Sequence, residues 1–322
     1  EVYCIKRDQL AFGLDLLRYW VSLIVPLFLN SLMISRALRL SGNCNNFKRL
    51  VHVAAASGFS EESSQSYEKG RPTYSHASLQ QINGILLSKT SQKPVNVVEI
   101  GAGTGKFTES FVDYFGKTHP NLSLQFTAIE PSEGFRKTLA EKNVKGVKAV
   151  DGTGDNIPAE SKSADAVMIA QAFHWMDNVK TLKEIHRVLR PQGTLFLIWN
   201  TYDYSKDWLK IVDEEILTPT YGDVPRQQTE KWRQCFFDDA SKPLFTPIHG
   251  WYDPYVFAGD RQMVLDRFLS TSVIVNLPHA QKDKVVARIN QLLDTHPDFE
   301  KARRTGVYEV PYVTHLAWVK AV

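Results

Sequence analysis

Residues 97–105 read Val-Val-Glu-Ile-Gly-Ala-Gly-Thr-Gly, an apolar run that stops at an acid and opens into glycines at every second position. Residues 95–100 are rich in β-branched apolar side chains, as a strand covered on both faces of a parallel sheet requires. Gly101, Gly103 and Gly105 remove the Cβ atoms that would hold a ligand away from the backbone and open conformations other residues avoid. Phe107, Phe111 and Phe115 then recur at a spacing of four, one apolar face of a helix over residues 106–115 that Gly116 is placed to end. The start of that helix points free N–H groups at whatever the turn holds.

Three ligand classes use such a turn: nucleoside triphosphates, dinucleotides and S-adenosylmethionine. A triphosphate loop needs Gly-x-x-x-x-Gly-Lys followed by Ser or Thr. Here Ile100 stands five before Gly105, and Phe107 follows Lys106. A dinucleotide fingerprint needs a third glycine where Lys106 stands, and it has no use for the carboxylate of Glu99 beside a pyrophosphate. That carboxylate suits the cationic amino-acid end of S-adenosylmethionine. A second strand, LQFTAI at residues 124–129, ends in Glu130, whose carboxylate at a strand's carboxyl end can hold both hydroxyls of a ribose.

With the turn 101–105, Glu130 and the AQAFHWMD stretch at 170–177, the chain resembles the class I S-adenosylmethionine-dependent methyltransferases from about Tyr67 onward. Within them it is similar to the branch of trans-aconitate methyltransferase and related small-molecule enzymes. The resemblance implies a Rossmann-like α/β fold: a seven-stranded, mostly parallel sheet, helices on both faces and an antiparallel final hairpin. It implies S-adenosyl-L-methionine as cofactor, with Gly101, Ala102, Gly103, Gly105, Glu99, Glu130 and Gln171 around it and Thr153 and Gly154 at the adenine edge. The family often has Asp where Thr153 stands. The stretch Tyr67-Glu68-Lys69-Gly70-Arg71-Pro72-Thr73-Tyr74 resembles the Tyr-x-x-x-Arg-Pro-x-Tyr segment that folds over the cofactor, making Tyr67 and Arg71 candidates for the methionine carboxylate or an acidic substrate. Residues 268–272 resemble a substrate-side helix end of the same branch.

The later strands follow from pattern. Residues 146–150 form a short third strand, and Gly-Thr-Gly-Asp-Asn-Ile-Pro after Asp151 is a loop by its breakers. Residues 164–170 (ADAVMIA) form the fourth, with Gln171, His174 and Trp175 at its carboxyl end, where open α/β sheets bind ligands. His174 is the candidate substrate contact or base; its alternative is a turn residue capping the helix that starts near Asp177. Trp175 reads as packing. Residues 190–193 end that helix and turn into a fifth strand, 194–199. The aromatic and proline-rich stretch from Trp232 to Tyr255 follows no simple alternation, and residues 308–321 read as an edge strand because of Pro311.

The 322 residues divide into an N-terminal extension (1–60), a cofactor-binding core (61–204) and a substrate-covering insertion with the last strands of the same sheet (205–322). The extension holds seven basic and three acidic residues, against 31 basic and 32 acidic in the remainder. The near-neutral remainder carries no electrostatic footprint for nucleic acid. Residues 19–34 are apolar but interrupted by Ser22, Pro26, Asn30 and Ser31, and short for a membrane span. Residues 16–60 contain no acid, and from Met33 they resemble a mitochondrial transit peptide. The expectations are a transit peptide starting at Met33, a membrane anchor over 16–34, or a basic tail without an address. Cys4, Cys44 and Cys235 have no metal spacing and leave one unpaired, pointing to a reducing, intracellular compartment, cytoplasmic or mitochondrial. No metal is expected. The expected activity is methyl transfer to a small molecule bearing a carboxylate; the alternatives are an NAD-dependent oxidoreductase and a non-catalytic S-adenosylmethionine-binding protein.

Overall fold

A computed structural model describes residues 70–88, 94–222 and 224–322. Tyr67 and the whole 1–60 extension, with its transit-peptide and anchor readings, lie outside the described residues. Seven strands form one sheet in the order β3-β2-β1-β4-β5-β7-β6: β1 (Val95–Ile100), β2 (Leu124–Ile129), β3 (Val147–Val150), β4 (Ala164–Ala170), β5 (Leu189–Tyr202), β6 (His249–Gly259) and β7 (Tyr308–Lys320). The first five pair in parallel, and β7 lies antiparallel between β5 and β6.

Alternation along the central strands fills both faces. Val97, Ala166, Met168, Phe196 and Ile198 pack against α1 (His76–Leu87) and the three phenylalanines of α2 (Lys106–Thr118). Val98, Ile100, Val167, Ile169, Leu195 and Leu197 face the other way, toward Leu182, Ile185 and Val188 of α4 (Val179–Val188). Helix α3 (Glu133–Glu141) crosses between β2 and β3. A sheet buried on both faces reads as continuous apolar runs, which is why these strands were legible.

After β5 the chain builds a cover with its own core. Helix α5 (Asp207–Val212) runs through a π-helical segment (Asp213–Leu217) into α6 (Thr218–Tyr221). After β6 come α7 (Arg261–Leu269), α8 (Ser272–Val275), α9 (His279–Thr295) and α10 (Glu300–Thr305). Trp208, Val212, Phe268, Ile289, Leu293 and Phe299 form this core with Tyr202 of β5 and Tyr312 of β7. Among the described residues, no helix is long and apolar enough to cross a membrane.

Four expectations are corrected. Helix α2 continues past Gly116 to Thr118, because an exposed glycine near a helix end costs only about 1 kcal/mol. Strand β5 begins at Leu189, and residues 190–193 bulge from it, with Gln192 at φ 64°. Strand β7 is interior, not an edge: Pro311 carbonyl accepts from Asp203 N at 3.0 Å just beyond the last β5 pair, so its missing N–H falls where β5 pairing has ended. Residues 249–259, which begin within the stretch judged irregular, form the edge strand β6, whose Trp251, Asp253, Tyr255 and Phe257 alternate inward. Its Pro254 is tolerated because an edge needs no donor on its open side.

Candidate active site

A cavity of about 380 Å³ opens at the carboxyl ends of β1, β2, β4 and β5, beside the switch point where the strand order reverses. The glycine turn forms its floor. Gly101, Gly103 and Gly105 have φ of 71°, 58° and 88°, and Gly101 N and Ala102 N both donate to Ile129 carbonyl, at 2.8 and 3.0 Å. A Cβ on Gly103 would meet nothing within 4 Å, so its missing side chain leaves open space. Gly105 lines neither cavity, and its Cβ would lie 2.2 Å from Leu139 Cδ1, so its missing side chain lets α2 pack on α3.

Glu130 bridges two backbones: its Oε2 accepts from Gly103 N at 2.8 Å and its Oε1 from Ser132 N at 2.9 Å. Burial raises its pKa, and these two bonds hold it down. Glu99 is buried at 1% exposure beside a second, smaller cavity of about 50 Å³ that Arg71, Ala102 and Gly103 also line. Thr108 Oγ1 donates to it at 2.5 Å. Burial pushes its pKa up to about 8 against that bond, with Glu130 adding repulsion. Thr153 and Gly154 line the larger cavity as the resemblance implied. The Thr153 hydroxyl, however, donates to Asp155 Oδ1 at 2.7 Å, and Asp155 lines the cavity too.

On the β4 side, Gln171 (φ 58°) donates from Nε2 to Asn200 carbonyl at 3.3 Å. His174 sits in a single tight turn, Phe173–Trp175, with its ring against Trp175 and part of it open to the cavity. The cap of α4 is Asn178, which accepts from Thr181 N at 3.0 Å, so His174 does not cap that helix. Trp199 Nε1 donates to His174 Nδ1 at 3.4 Å, which places the ring proton on Nε2. Burial and the nearby Arg71 push its pKa down to about 4. Arg71 lines both cavities and donates from Nη2 to Ser270 carbonyl at 2.9 Å, tying the segment before α1 to the end of α7.

The comparisons with known proteins bear on this arrangement. A methyltransferase-domain family model matches residues 98–197. An uncharacterized methyltransferase of Mycobacterium tuberculosis strain H37Rv is 32% identical over 248 residues, covering 77% of this chain and 89% of that protein. The chain is a class I S-adenosylmethionine-dependent methyltransferase. An uncharacterized methyltransferase-like protein of Schizosaccharomyces pombe is 32% identical over 240 residues, covering 72% and 84%. The solved structure of an Anabaena variabilis protein assigned as a methyltransferase of antibiotic biosynthesis shares the fold at TM-score 0.52 and 17% identity, covering 77% of this chain and 98% of that one.

The methyltransferase's own residues fit S-adenosylmethionine: a glycine turn with room above Gly103, one carboxylate at the end of β2 and a second deeper, at Glu99. Among the lining residues that went unnoticed in the sequence are Asp155, Trp199, Tyr202, Arg226 and Arg267. Arg267 alone left a trace, as a charge at the i+3 position of an otherwise apolar face of α7, with Val264 and Phe268.

Proposed function

We propose that this methyltransferase transfers the methyl group to a carboxylate oxygen of a small molecule. The observation that carries the reading is the state of His174, the candidate base nearest the acceptor side of the cavity. Its Nδ1 is engaged by Trp199, and its pKa is pushed down to about 4, so it is a poor base at neutral pH and can offer Nε2–H as a donor. A carboxylate needs no base, because it is already a nucleophile. S-adenosylmethionine, when bound, supplies a methyl group made electrophilic by its sulfonium; a carboxylate lone pair forms the new O–C bond as the C–S pair returns to sulfur.

The protein's contribution in this reading is placement. Glu130 takes the ribose hydroxyls, Glu99 the ammonium group, and Thr153, Gly154 and Asp155 the adenine edge. Ala102 and Gln171 bound the methionine arm, with Arg71 over it. Residues 205–322 cover the acceptor side, with Leu217, Tyr221 and Thr271 among the cavity walls. Holding nucleophile and methyl carbon in line is worth up to roughly 7–11 kcal/mol in good intramolecular models.

The test is incubation with methyl-labelled cofactor and a metabolite extract, followed by mass spectrometry. The expected product is a small methyl ester that mild alkali hydrolyses, with a turnover rate at saturating cofactor that is level between pH 6 and 8. A base-stable N- or C-methyl product, label confined to protein or RNA, or a histidine-like ionisation in the turnover rate would each refute the carboxylate reading.

A further inference from the structure

Arg267 is a charge in the wrong place for a helix that faces a core. It is 5% exposed, on the face of α7 that also carries Val264 and Phe268. Buried guanidinium groups are ordinarily paired with a carboxylate, yet no ion pair to Arg267 exists among the described residues. Its Nε donates to Tyr312 OH, its Nη1 to Thr271 Oγ1 at 3.5 Å, and its Nη2 to no group among them. The guanidinium carbon lies 4.8 Å from the ring centre of Tyr202 and 5.6 Å from that of Tyr312, contacts that favour a cation without neutralising it. Both tyrosines are held in the neutral form by burial, so neither supplies a countercharge.

The surroundings point the same way. Arg267 lines both cavities. Of the carboxylates lining the larger one, Glu130 and Asp155 belong to the strand ends on the β2–β3 side, whereas Arg71, Arg226 and Arg267 face it from the cover and the segment before α1. Arg226 is balanced by Asp213 at 2.7 Å, and the charge of Arg267 is compensated by no carboxylate among the described residues. Tyr202, also a wall residue, holds a second unexplained group: its hydroxyl is buried without a hydrogen-bond partner. Buried polar groups are nearly always satisfied.

We propose that Arg267, with Thr271 and Tyr202, is a receptor for an anionic handle on the acceptor, a carboxylate or phosphate group distinct from the atom that receives the methyl. A guanidinium presents two parallel N–H groups that match such an anion. Held that way, the anion has its lone pairs engaged and is a poor nucleophile, so handle and methyl-accepting atom are separate. The inference rests on the methyl-transfer reading only in requiring that the acceptor occupy this cavity; it is indifferent to whether oxygen, nitrogen or carbon is methylated.

The experiment is calorimetric titration of the full chain saturated with S-adenosylhomocysteine, using succinate, inorganic phosphate and, as the neutral counterpart, succinamide. Succinate or phosphate is expected to bind and succinamide not to. Arg267→Gln should weaken the anion at least tenfold while S-adenosylhomocysteine affinity stays within twofold, and Arg267→Lys, which keeps the charge and loses the fork, should recover part of the loss. Absence of anion binding, equal binding of succinamide, or a loss of S-adenosylhomocysteine affinity as large as the loss of anion affinity overturns the proposal; the last result would give Arg267 to the methionine carboxylate. If Arg267→Gln does not fold, the wild-type comparison and Arg267→Lys still decide. Anion binding with no labelled small product would sink the transfer reading alone. An acceptor whose Michaelis constant is unmoved in Arg267→Lys would sink the receptor alone.

Discussion

Glu99 carries a proton at neutral pH in the cofactor-free protein, because a carboxylate at 1% exposure with one donor, Thr108, is short of solvation. Its folded pKa of about 8 lies above the 4.5 of the free side chain. The stabilising contribution is therefore full below pH 4.5 and is lost as pH rises through about 8. Between pH 6.5 and 8 the loss is about 2 kcal/mol, from 1.36 kcal/mol per unit. Urea titrations of the cofactor-free protein at these two pH values should show that slope in the wild type and its absence in Glu99→Gln. An ammonium group beside Glu99 reverses the preference. Binding of S-adenosylhomocysteine at pH 7 should then release close to one proton, read as a dependence of binding heat on the buffer's ionisation enthalpy; no such dependence would remove Glu99 from the ammonium site.

At the level of elements, two glycines in one turn serve different ends. Gly105 caps α2 at φ 88° with Leu139 of α3 where its Cβ would be, and Leu139 is 2% exposed, so a displaced side chain must be accommodated inside the core. Gly103, at φ 58°, faces open space. Gly105→Ala should therefore cost about 2–4 kcal/mol, from left-handed strain and overpacking together, with the α2–α3 junction loosened. Gly103→Ala should cost about 1 kcal/mol and instead weaken S-adenosylhomocysteine binding. Denaturation curves and cofactor titrations on both variants check the contrast, and a Gly105→Ala protein as stable as wild type would refute the packing role. The turn's sequence announced all its glycines alike, and only the position of Leu139, 34 residues further on, separates them.

Across the whole molecule, two histidines with pKa lowered by burial share the stability on the acid side: His174 in the site and His315, which β7 carries into the interior. His315 is 1% exposed, stacked on Tyr252 at 4.4 Å, and accepts at Nδ1 from Gln227 Nε2 at 2.9 Å. Burial, with Arg233 nearby and against the pull of Glu230, puts its pKa at about 4, below the ordinary 6.5. The unfolded chain takes up this proton first, so the contribution is present above pH 6.5 and is lost as pH falls toward 4, by about 3 kcal/mol in total. His315→Gln should make the fall in urea midpoint between pH 6.5 and 4.5 shallower by close to one proton, and an unchanged slope would place the acid sensitivity elsewhere. The sequence by itself determined the strands β1, β2 and β4, the glycine turn with Glu99 and Glu130, and the class of cofactor, because burial on both faces and a close backbone approach each leave a pattern within a few neighbouring residues. It did not determine the cover. There the helices are short, part of the chain is π-helical, and the apolar partners are far apart in sequence: Trp208 meets Phe268 and Phe299. Nor could it show that Pro311 sits where β5 pairing has ended, that Thr153 spends its hydroxyl on Asp155, or that Arg267 is buried beside Tyr202 and Tyr312 with no carboxylate against it among the described residues. Each of these depends on which groups long-range packing brings near or keeps away. A charge reads as surface in a sequence, and only the assembled fold fixes whether it is solvated, paired or left for a ligand.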